Sequence, residues 1–377
     1  MIDSKTNTAK ILELLQDCNP EIEFEQLAAS ELVEFANQKG RLPELFQVYR
    51  TFAPKESKLK TYYNFMNMQA NLSTDCNQDG GLAGKISDAF LSHYLNFGKK
   101  YILVDTVDVD KFDVKTLAQK ANAKKSKDLF FEKNQLFNQD AGDLAYLHVT
   151  HHAKDKKGNF IFFLRETIGD YSYETPAESF LTEAGIQIKN SLLLKKQTII
   201  PGIHKVIFSA DFKYRISLID PSTLVRNETA ADKAINCIAH VLKYLDTGIE
   251  AATNSKPVYF FKAIQKLYDD PTIGFVTEGY FATSSGSNFN SKTKTWDSDL
   301  RKDPFQKGGE SADKGNLSFT KIRIAWDESN LPRIFLNGSS DMFNKADKSL
   351  PFVKITFDFH QPMQINFLEK VLQNADW

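Results

Sequence analysis

Asp211 and Lys213 form an Asp-x-Lys pair, the form that one class of nuclease uses. In such a site a carboxylate holds Mg²⁺ and the lysine supports the attacking water. Alternating apolar and polar residues over 206–218 predict a strand, which would place both side chains on one face. Asp170 is the candidate for the second carboxylate. The pair therefore suggests a metal-dependent nuclease or phosphodiesterase.

A histidine-rich run, HVTHH, lies upstream of that pair. On a strand His148, Thr150 and His152 would share one face, so two imidazoles and a hydroxyl could meet a metal or a phosphate. The His-x-Thr form occurs twice in two-histidine phosphoesterases, and neither His204 nor His240 supplies a second copy. A half-exposed strand beside a hairpin turn explains the same letters. We therefore keep His148 and His152 only as candidates for catalytic residues, and we predict no metal ligand.

Three groups of basic residues could contact a phosphate backbone. One group recurs at helical spacing within a helix expected over 114–127, and the other two alternate with apolar residues on late strands. Each phosphate contact would add salt-dependent affinity, whereas ordinary solvated helix and sheet faces are the alternative explanation. The candidates for nucleic-acid binding are Lys120, Lys124, Lys127, Lys321, Arg323 and Lys354.

The segment from Asp75 to Lys85 holds fragments of two ligand motifs. Oxygen-bearing residues at alternate positions followed by Gly80 match the start of a calcium loop, but Ile86 stands where the bidentate Glu is required. The glycines before Lys85 have the wrong spacing for a phosphate-binding P-loop, and no Ser or Thr follows that lysine. A polar turn between helices accounts for both fragments.

Composition limits the classes of protein. The 47 Lys and Arg residues and 48 Asp and Glu residues give a net charge of -1, so the surface as a whole does not attract nucleic acid and only local basic patches can. The three cysteines form no Cys-x-x-Cys pair, which argues against a disulfide framework. The N-terminus lacks a signal-peptide pattern, and no run of about 18 apolar residues occurs. We expect a soluble cytoplasmic protein without membrane insertion.

Periodicity predicts an α+β fold. Apolar residues at three-to-four spacing indicate a helical N-terminal region over 1–98. Runs with a period of two indicate a β-rich middle domain over 99–227. Residues 228–377 are expected to form a helix pair plus an antiparallel sheet, with a long loop at 284–316. The expected architecture is a helical N-terminal region followed by mixed and antiparallel β-sheets with flanking helices.

These residues leave the function open between hypotheses. The leading one is a binding or assembly protein that engages nucleic acid through local basic surfaces, because no nucleophile with its base and no full metal shell can be assembled. The alternative is the nuclease or phosphodiesterase, for which Mg²⁺ would be the cofactor; no other cofactor is assigned. A protein scaffold is a third hypothesis, with a protein partner or a second copy of the chain. A bacterial accessory role such as phage defence would suit the chain, although no residue shows it.

Overall fold

The computed structural model describes most of the chain, and all structural statements below refer to that part. The described residues are 4–52, 65–96, 100–111, 113–126, 129–132, 136, 147–174, 181–183, 192, 194–224, 229–246, 255–294, 298–313, 317–325, 333–337, 353–356, 365–375 and 377.

Five helices form the N-terminal region. Each buries one apolar stripe, as in the second helix, where Leu32, Val33 and Phe35 are buried while Glu34 stays exposed. This helix begins where the Glu31 carboxylate accepts the backbone N–H of Ala28 (2.9 Å). The helices are α1 (Ser4–Asp17), α2 (Ala29–Gln38), α3 (Leu42–Phe52), α4 (Phe65–Gln78) and α5 (Leu82–Asn96).

One large sheet follows, in which every strand pairing is antiparallel. The strands are β1 (Glu23–Phe24), β2 (Lys100–Val107), β3 (Phe130–Phe131), β4 (His148–Lys154), β5 (Phe160–Glu174), β6 (Leu194–Phe208), β7 (Tyr214–Ile219), β8 (Ser255–Pro257), β9 (Phe275–Ala282), β10 (Asn288–Lys292), β11 (Ser318–Ala325), β12 (Arg333–Asn337) and β13 (Val353–Thr356). The order in the large sheet is β10-β9-β11-β12-β13-β2-β7-β6-β5-β4, and β8 pairs with β2 outside that order. The two-residue strands β1 and β3 pair separately and in parallel.

Five further helices accompany the sheet. They are α6 (Val114–Ala123), α7 (Ala230–Tyr244), α8 (Phe261–Asp269), α9 (Pro304–Ala312) and α10 (Ile365–Asn374). Helix α7 starts at a capping box in which the Thr229 hydroxyl accepts the Asp232 N–H and the Asp232 carboxylate accepts the Thr229 N–H. The α+β fold expected from the sequence is confirmed, with its helical N-terminal region. None of the helices in the described ranges combines the length and the apolar run that crossing a bilayer requires.

Helices cover the two faces of the sheet unequally. One core joins α1–α5, α8 and α10 to strands along the whole sheet. A second core, on the other face, joins α6 and α7 to β2, β5, β6 and β7. No described residue of β9–β13 belongs to this second core. We call that face of β9–β13 the open face, because no described helix packs on it.

The sheet also crosses the boundary expected near residue 227. Pairing of β13 with β2 joins strands of the expected middle and C-terminal domains, while the division into domains itself stays a prediction. The prediction of a long loop at 284–316 is wrong, because this segment contains β10, a turn of 3₁₀-helix at Leu300–Lys302 and α9. The polar composition misled the prediction since β10 is an edge strand, exposed along most of its length, and needs no apolar alternation.

Candidate functional site

Asp211 and Lys213 lie in the turn between β6 and β7, so the prediction that they share a strand face is wrong. The Asp211 carboxylate accepts the Ser209 hydroxyl (2.6 Å) and the Lys213 backbone N–H (3.2 Å). Phe212 adopts a positive φ of 58° because its ring is anchored in the core against Phe160, with centroids 5.0 Å apart. The carboxylate shapes a hairpin turn, and its hydrogen bonds account for its presence there.

His148 and His152 lie on opposite faces of the sheet. His148 is in register with Arg165, and His152 with Phe162, because the register shifts where Thr150 is inserted. Register partners share a face and successive β5 residues alternate, so three steps along β5 separate the two imidazoles. The prediction that His148, Thr150 and His152 share one face is therefore wrong.

The two histidines also differ in environment. His152 is fully buried and stacks on Phe162, with ring centroids 4.3 Å apart and planes 9° apart. Burial lowers the pKa of His152 to about 4, which keeps it neutral at ordinary pH. His148 is exposed at the start of β4. These positions do not bring two imidazoles to one ligand.

Lys120 and Lys124 point at the C-terminal end of α7. The Lys120 ammonium donates to the backbone oxygen of Asp246 (2.7 Å), and the Lys124 ammonium donates to the backbone oxygen of Tyr244. Lys124 also pairs with the Asp246 carboxylate (2.7 Å) and lies 5.1 Å from the centre of the Tyr244 ring. Both lysines thus cap the last carbonyls of a helix. Lys127 lies outside the described residues.

Of the cations predicted on late strands, Lys321 and Arg323 occupy the same face of the sheet. Ile322 is buried in the core, so Lys321 and Arg323 on either side of it face the other way, onto the open face. Arg323 is in register with Phe335 of β12, which is in register with Lys354 of β13. The predicted residue Lys354 thus has a described backbone position on β13, and its side chain lies outside the described part of the structure.

A further lysine extends this row at the sheet edge. Lys292 of β10 is in register with Glu278 of β9, which pairs with Arg323 (2.7 Å). Lys321 lies 4.9 Å from the centre of the Tyr280 ring, within the range of a cation–π contact. We call Lys292, Lys321 and Arg323 the cationic face.

A groove of about 840 Å³ lies along the edge strand β10. Its walls come from the first residue of β9, from β10 and the residues that follow it, from the 3₁₀ turn at Leu300–Lys302 and from the start of α9. We call it the edge groove. Its lining includes Phe275, Asn290, Ser291, Lys292, Lys294, Ser298, Lys302 and Phe305.

The two carboxylates of the edge groove are committed to local structure. Asp299 forms a two-pronged ion pair with Arg301 (2.9 and 3.2 Å from Nε), whose other nitrogens donate to backbone oxygens, including that of Ile273 (3.4 Å). Asp303 caps α9 by accepting the N–H groups of Phe305 (2.9 Å) and Gln306 (3.1 Å). By contrast, none of the groove lysines pairs with a carboxylate of the described residues.

A second concentration of charge is buried between α2, α3, α5 and the sheet. Asp220 is fully buried, and its carboxylate lies 3.6 Å from Arg41 and 3.9 Å from Lys39. It also accepts the hydroxyl of Tyr94. Gly40 takes a φ of +61° between Lys39 and Arg41, a backbone conformation that favours glycine and that lets both cations face Asp220.

The same network continues through the sheet to α7. The Asp220 backbone N–H donates to Nδ1 of His204 (3.2 Å), and Nε2 of His204 bonds to Glu166 (3.0 Å). The other oxygen of Glu166 accepts from Lys233 (2.5 Å). We call the whole set the buried charge cluster. Its members are Lys39, Arg41, Glu44, His93, Tyr94, Lys100, Glu166, His204, Lys205, Asp220 and Lys233.

Burial and pairing set the protonation of this cluster. Burial opposes ionisation of Asp220, but Lys100, Lys39 and Arg41 together hold the pKa of its carboxyl well below the usual range. Burial lowers the pKa of Lys39 and Lys100 to about 8. Burial also lowers the pKa of Lys205 to about 7, although its ammonium donates to Asn19 and Asn96 (3.1 Å each). The described cluster therefore contains more lysines than carboxylates. Keeping all of these lysines charged costs folding free energy, and deprotonation of a lysine relieves that cost.

Sequence reasoning missed both the edge groove and the buried charge cluster. The groove lies in the Ser- and Asn-rich segment that was assigned to a loop. The cluster residues are spread from Lys39 to Lys233, and only the Lys-Gly-Arg turn at 39–41 was a local sign of it. In the described part of the chain no three His, Cys, Asp or Glu residues are grouped as metal ligands would be. Asp75 lies within α4, not in a calcium loop, and accepts the hydroxyl of Tyr49.

Comparison with known proteins adds no assignment. No protein-family model matches the chain, and no curated protein is significantly similar to it in sequence.

Proposed function

We propose that the protein binds nucleic acid through the cationic face and the adjoining edge groove. The observation that supports this best is the gathering of lysines on the sheet face that no described helix covers. The chain as a whole has a net charge of -1, so this local excess is not a consequence of overall composition.

Charge pairing supports the choice of this surface. Among the described residues, Lys292, Lys294, Lys302 and Lys321 have no carboxylate partner. Arg323 is balanced by Glu278, which orients the guanidinium on the face. Lysines left without an internal counter-charge are available to phosphate oxygens, and each phosphate contact releases counterions.

The cationic face is a better candidate than the helix predicted from Lys120, Lys124 and Lys127. Lys120 and Lys124 are engaged with the end of α7. Within the described part of the structure, no carbonyl or carboxylate partner engages Lys292, Lys294, Lys302 or Lys321 in this way. The proposal concerns binding and assigns no catalytic step. No contact of Asp211, Lys213, His148 or His152 in the described structure favours the Mg²⁺-dependent alternative.

Fluorescence anisotropy with a labelled oligonucleotide of about 20 nucleotides tests the proposal. We expect the protein to bind the oligonucleotide. The logarithm of the affinity should fall linearly with the logarithm of the KCl concentration between about 50 and 200 mM. Lys321→Ala removes one contact, so affinity should fall severalfold and the salt slope should shrink by about 0.7 to 0.9.

Lys266→Ala is the matched control. Lys266 is an exposed lysine of α8, a helix that packs on the opposite face through Ala263, Ile264 and Leu267. Its removal changes net charge equally and should leave the affinity and the slope unchanged. No binding of any oligonucleotide at low salt would overturn the proposal. Equal losses in both variants would show that binding depends on net charge and not on this face.

A further inference from the structure

We infer that the edge groove holds an unpaired nucleotide, with its base against Phe305 and its phosphates on Lys292, Lys294 and Lys302. The ligand class is then single-stranded nucleic acid. This inference rests on the proposed function and specifies its substrate.

Phe305 is the first reason. Its side chain is 82% exposed, the largest value among the exposed large apolar side chains of the described residues. It lies in the first turn of α9, and its backbone N–H is fixed by the Asp303 carboxylate (2.9 Å). The backbone that carries the ring is therefore anchored, and Phe305 both lines the groove and is open to solvent. Exposed aromatic rings beside a cationic groove serve as platforms for unstacked bases.

The charge around the ring is the second reason. Three lysines line the groove, and the two aspartates that line it are held by Arg301 and by the start of α9. The described lining thus carries three lysines and two carboxylates, a balance of +1, and Arg301 outside the lining neutralises one of those carboxylates. A cationic groove beside an exposed aromatic ring is the arrangement that binds single strands with little sequence preference.

The size and the polar lining of the groove give the third reason. A volume of about 840 Å³ lies within the range of about 300 to 1,000 Å³ that small-ligand pockets occupy. Asn290 and Ser291 offer an amide and a hydroxyl to base edges. Bases within a duplex are stacked on their neighbours and cannot reach such a ring without being extruded. The groove therefore favours an unpaired strand over a duplex.

The experiment compares a labelled oligothymidylate with a duplex of the same length, measured by anisotropy at one salt concentration. The wild-type protein should bind the single strand at least about tenfold more tightly. Phe305→Ala should weaken single-strand binding about tenfold, corresponding to about 1.4 kcal/mol, and should leave duplex binding nearly unchanged. Phe305→Tyr keeps the ring and should retain the wild-type affinity.

Phe130→Ala is the control, because Phe130 is 40% exposed on β3 and does not line the groove. It should leave both affinities unchanged. Equal binding of single strand and duplex, together with a neutral Phe305→Ala, would overturn this inference and leave the proposed function standing. Absence of binding to either oligonucleotide would overturn both.

Discussion

The buried charge cluster and the cationic face use the same residue types in opposite surroundings. In the cluster, Asp220 is fully buried and is contacted by Arg41, Lys39 and Tyr94. On the cationic face, Lys321 is partly exposed and contacts a tyrosine ring but no carboxylate of the described residues. The carboxylate of Asp220 is thus paired within the protein, whereas the ammonium of Lys321 is left for solvent or a ligand.

This difference separates two kinds of effect. Removing a partner from the cluster leaves a charge uncompensated in a medium of low polarity, which is costly to the folded state. Removing a lysine from the cationic face exposes nothing new and should change stability by less than about 0.5 kcal/mol. Stability should therefore depend on the cluster, and ligand affinity on the face.

Asp220→Asn should have the largest effect on stability. The substitution keeps the size of the side chain but leaves Lys39, Arg41 and Lys100 without their shared counter-charge. We expect the free energy of unfolding to fall by about 3 to 5 kcal/mol in urea denaturation.

The control for Asp220→Asn is Glu21→Gln, an equal change of charge at an exposed position. It should change the free energy of unfolding by less than about 0.5 kcal/mol. If Asp220→Asn fails to fold, Tyr94→Phe removes only the hydroxyl that donates to Asp220 and should give a smaller loss of about 1 kcal/mol. Wild-type stability in both cluster variants would show that the network contributes nothing net to folding.

The pH dependence of stability is the next largest expected effect. Unfolded lysines stay protonated below a pH of about 10.4, whereas burial lowers the pKa of Lys205 to about 7 in the folded protein. The unfolded chain therefore binds more protons above neutrality, and stability must rise with pH. With Lys39 and Lys100, whose pKa values burial lowers to about 8, we expect the free energy of unfolding to increase by about 3 to 5 kcal/mol from pH 7 to pH 9.

Lys205→Met identifies the group responsible. It removes one titrating ammonium from the core, so the rise between pH 7 and pH 9 should become shallower. Lys39 and Lys100, whose pKa values burial lowers to about 8, should account for the remaining slope. A flat or falling curve for the wild-type protein over this range would contradict the assigned protonation of the cluster.

Local periodicity was sufficient to predict the fold class, because helices and strands leave repeating patterns within about ten residues. The same alternation misled us at Asp211, since the period-two pattern continues across the β6–β7 turn while the chain reverses. Phe212 fits the apolar series of a strand, yet it is a turn residue whose ring folds back onto Phe160. A single inserted residue at Thr150 likewise moved His148 and His152 to opposite faces.

The sites could not be predicted in the same way because they depend on long-range contacts. Asp220 meets Arg41 across 179 positions of the sequence, and no local pattern encodes that meeting. Lys321 and Arg323 were identified because they alternate with buried isoleucines. Lys292 was not, since its short edge strand has no buried apolar residue to mark its period and its role depends on pairing with β9.

Replacement of Lys120 and Lys124 by alanine should have the smallest effect and tests which lysines belong to the interface. Both ammonium groups face the carbonyl end of α7, so their loss should lower the free energy of unfolding by about 0.5 kcal/mol. Oligonucleotide affinity should change less than it does in Lys321→Ala, although the double variant removes twice the charge. Chemical denaturation and the salt-dependent anisotropy series measure the two quantities on the same samples. A larger loss of affinity than in Lys321→Ala, with unchanged stability, would place the interface on α6, as the spacing of Lys120, Lys124 and Lys127 first predicts, and would remove the cationic face from that role.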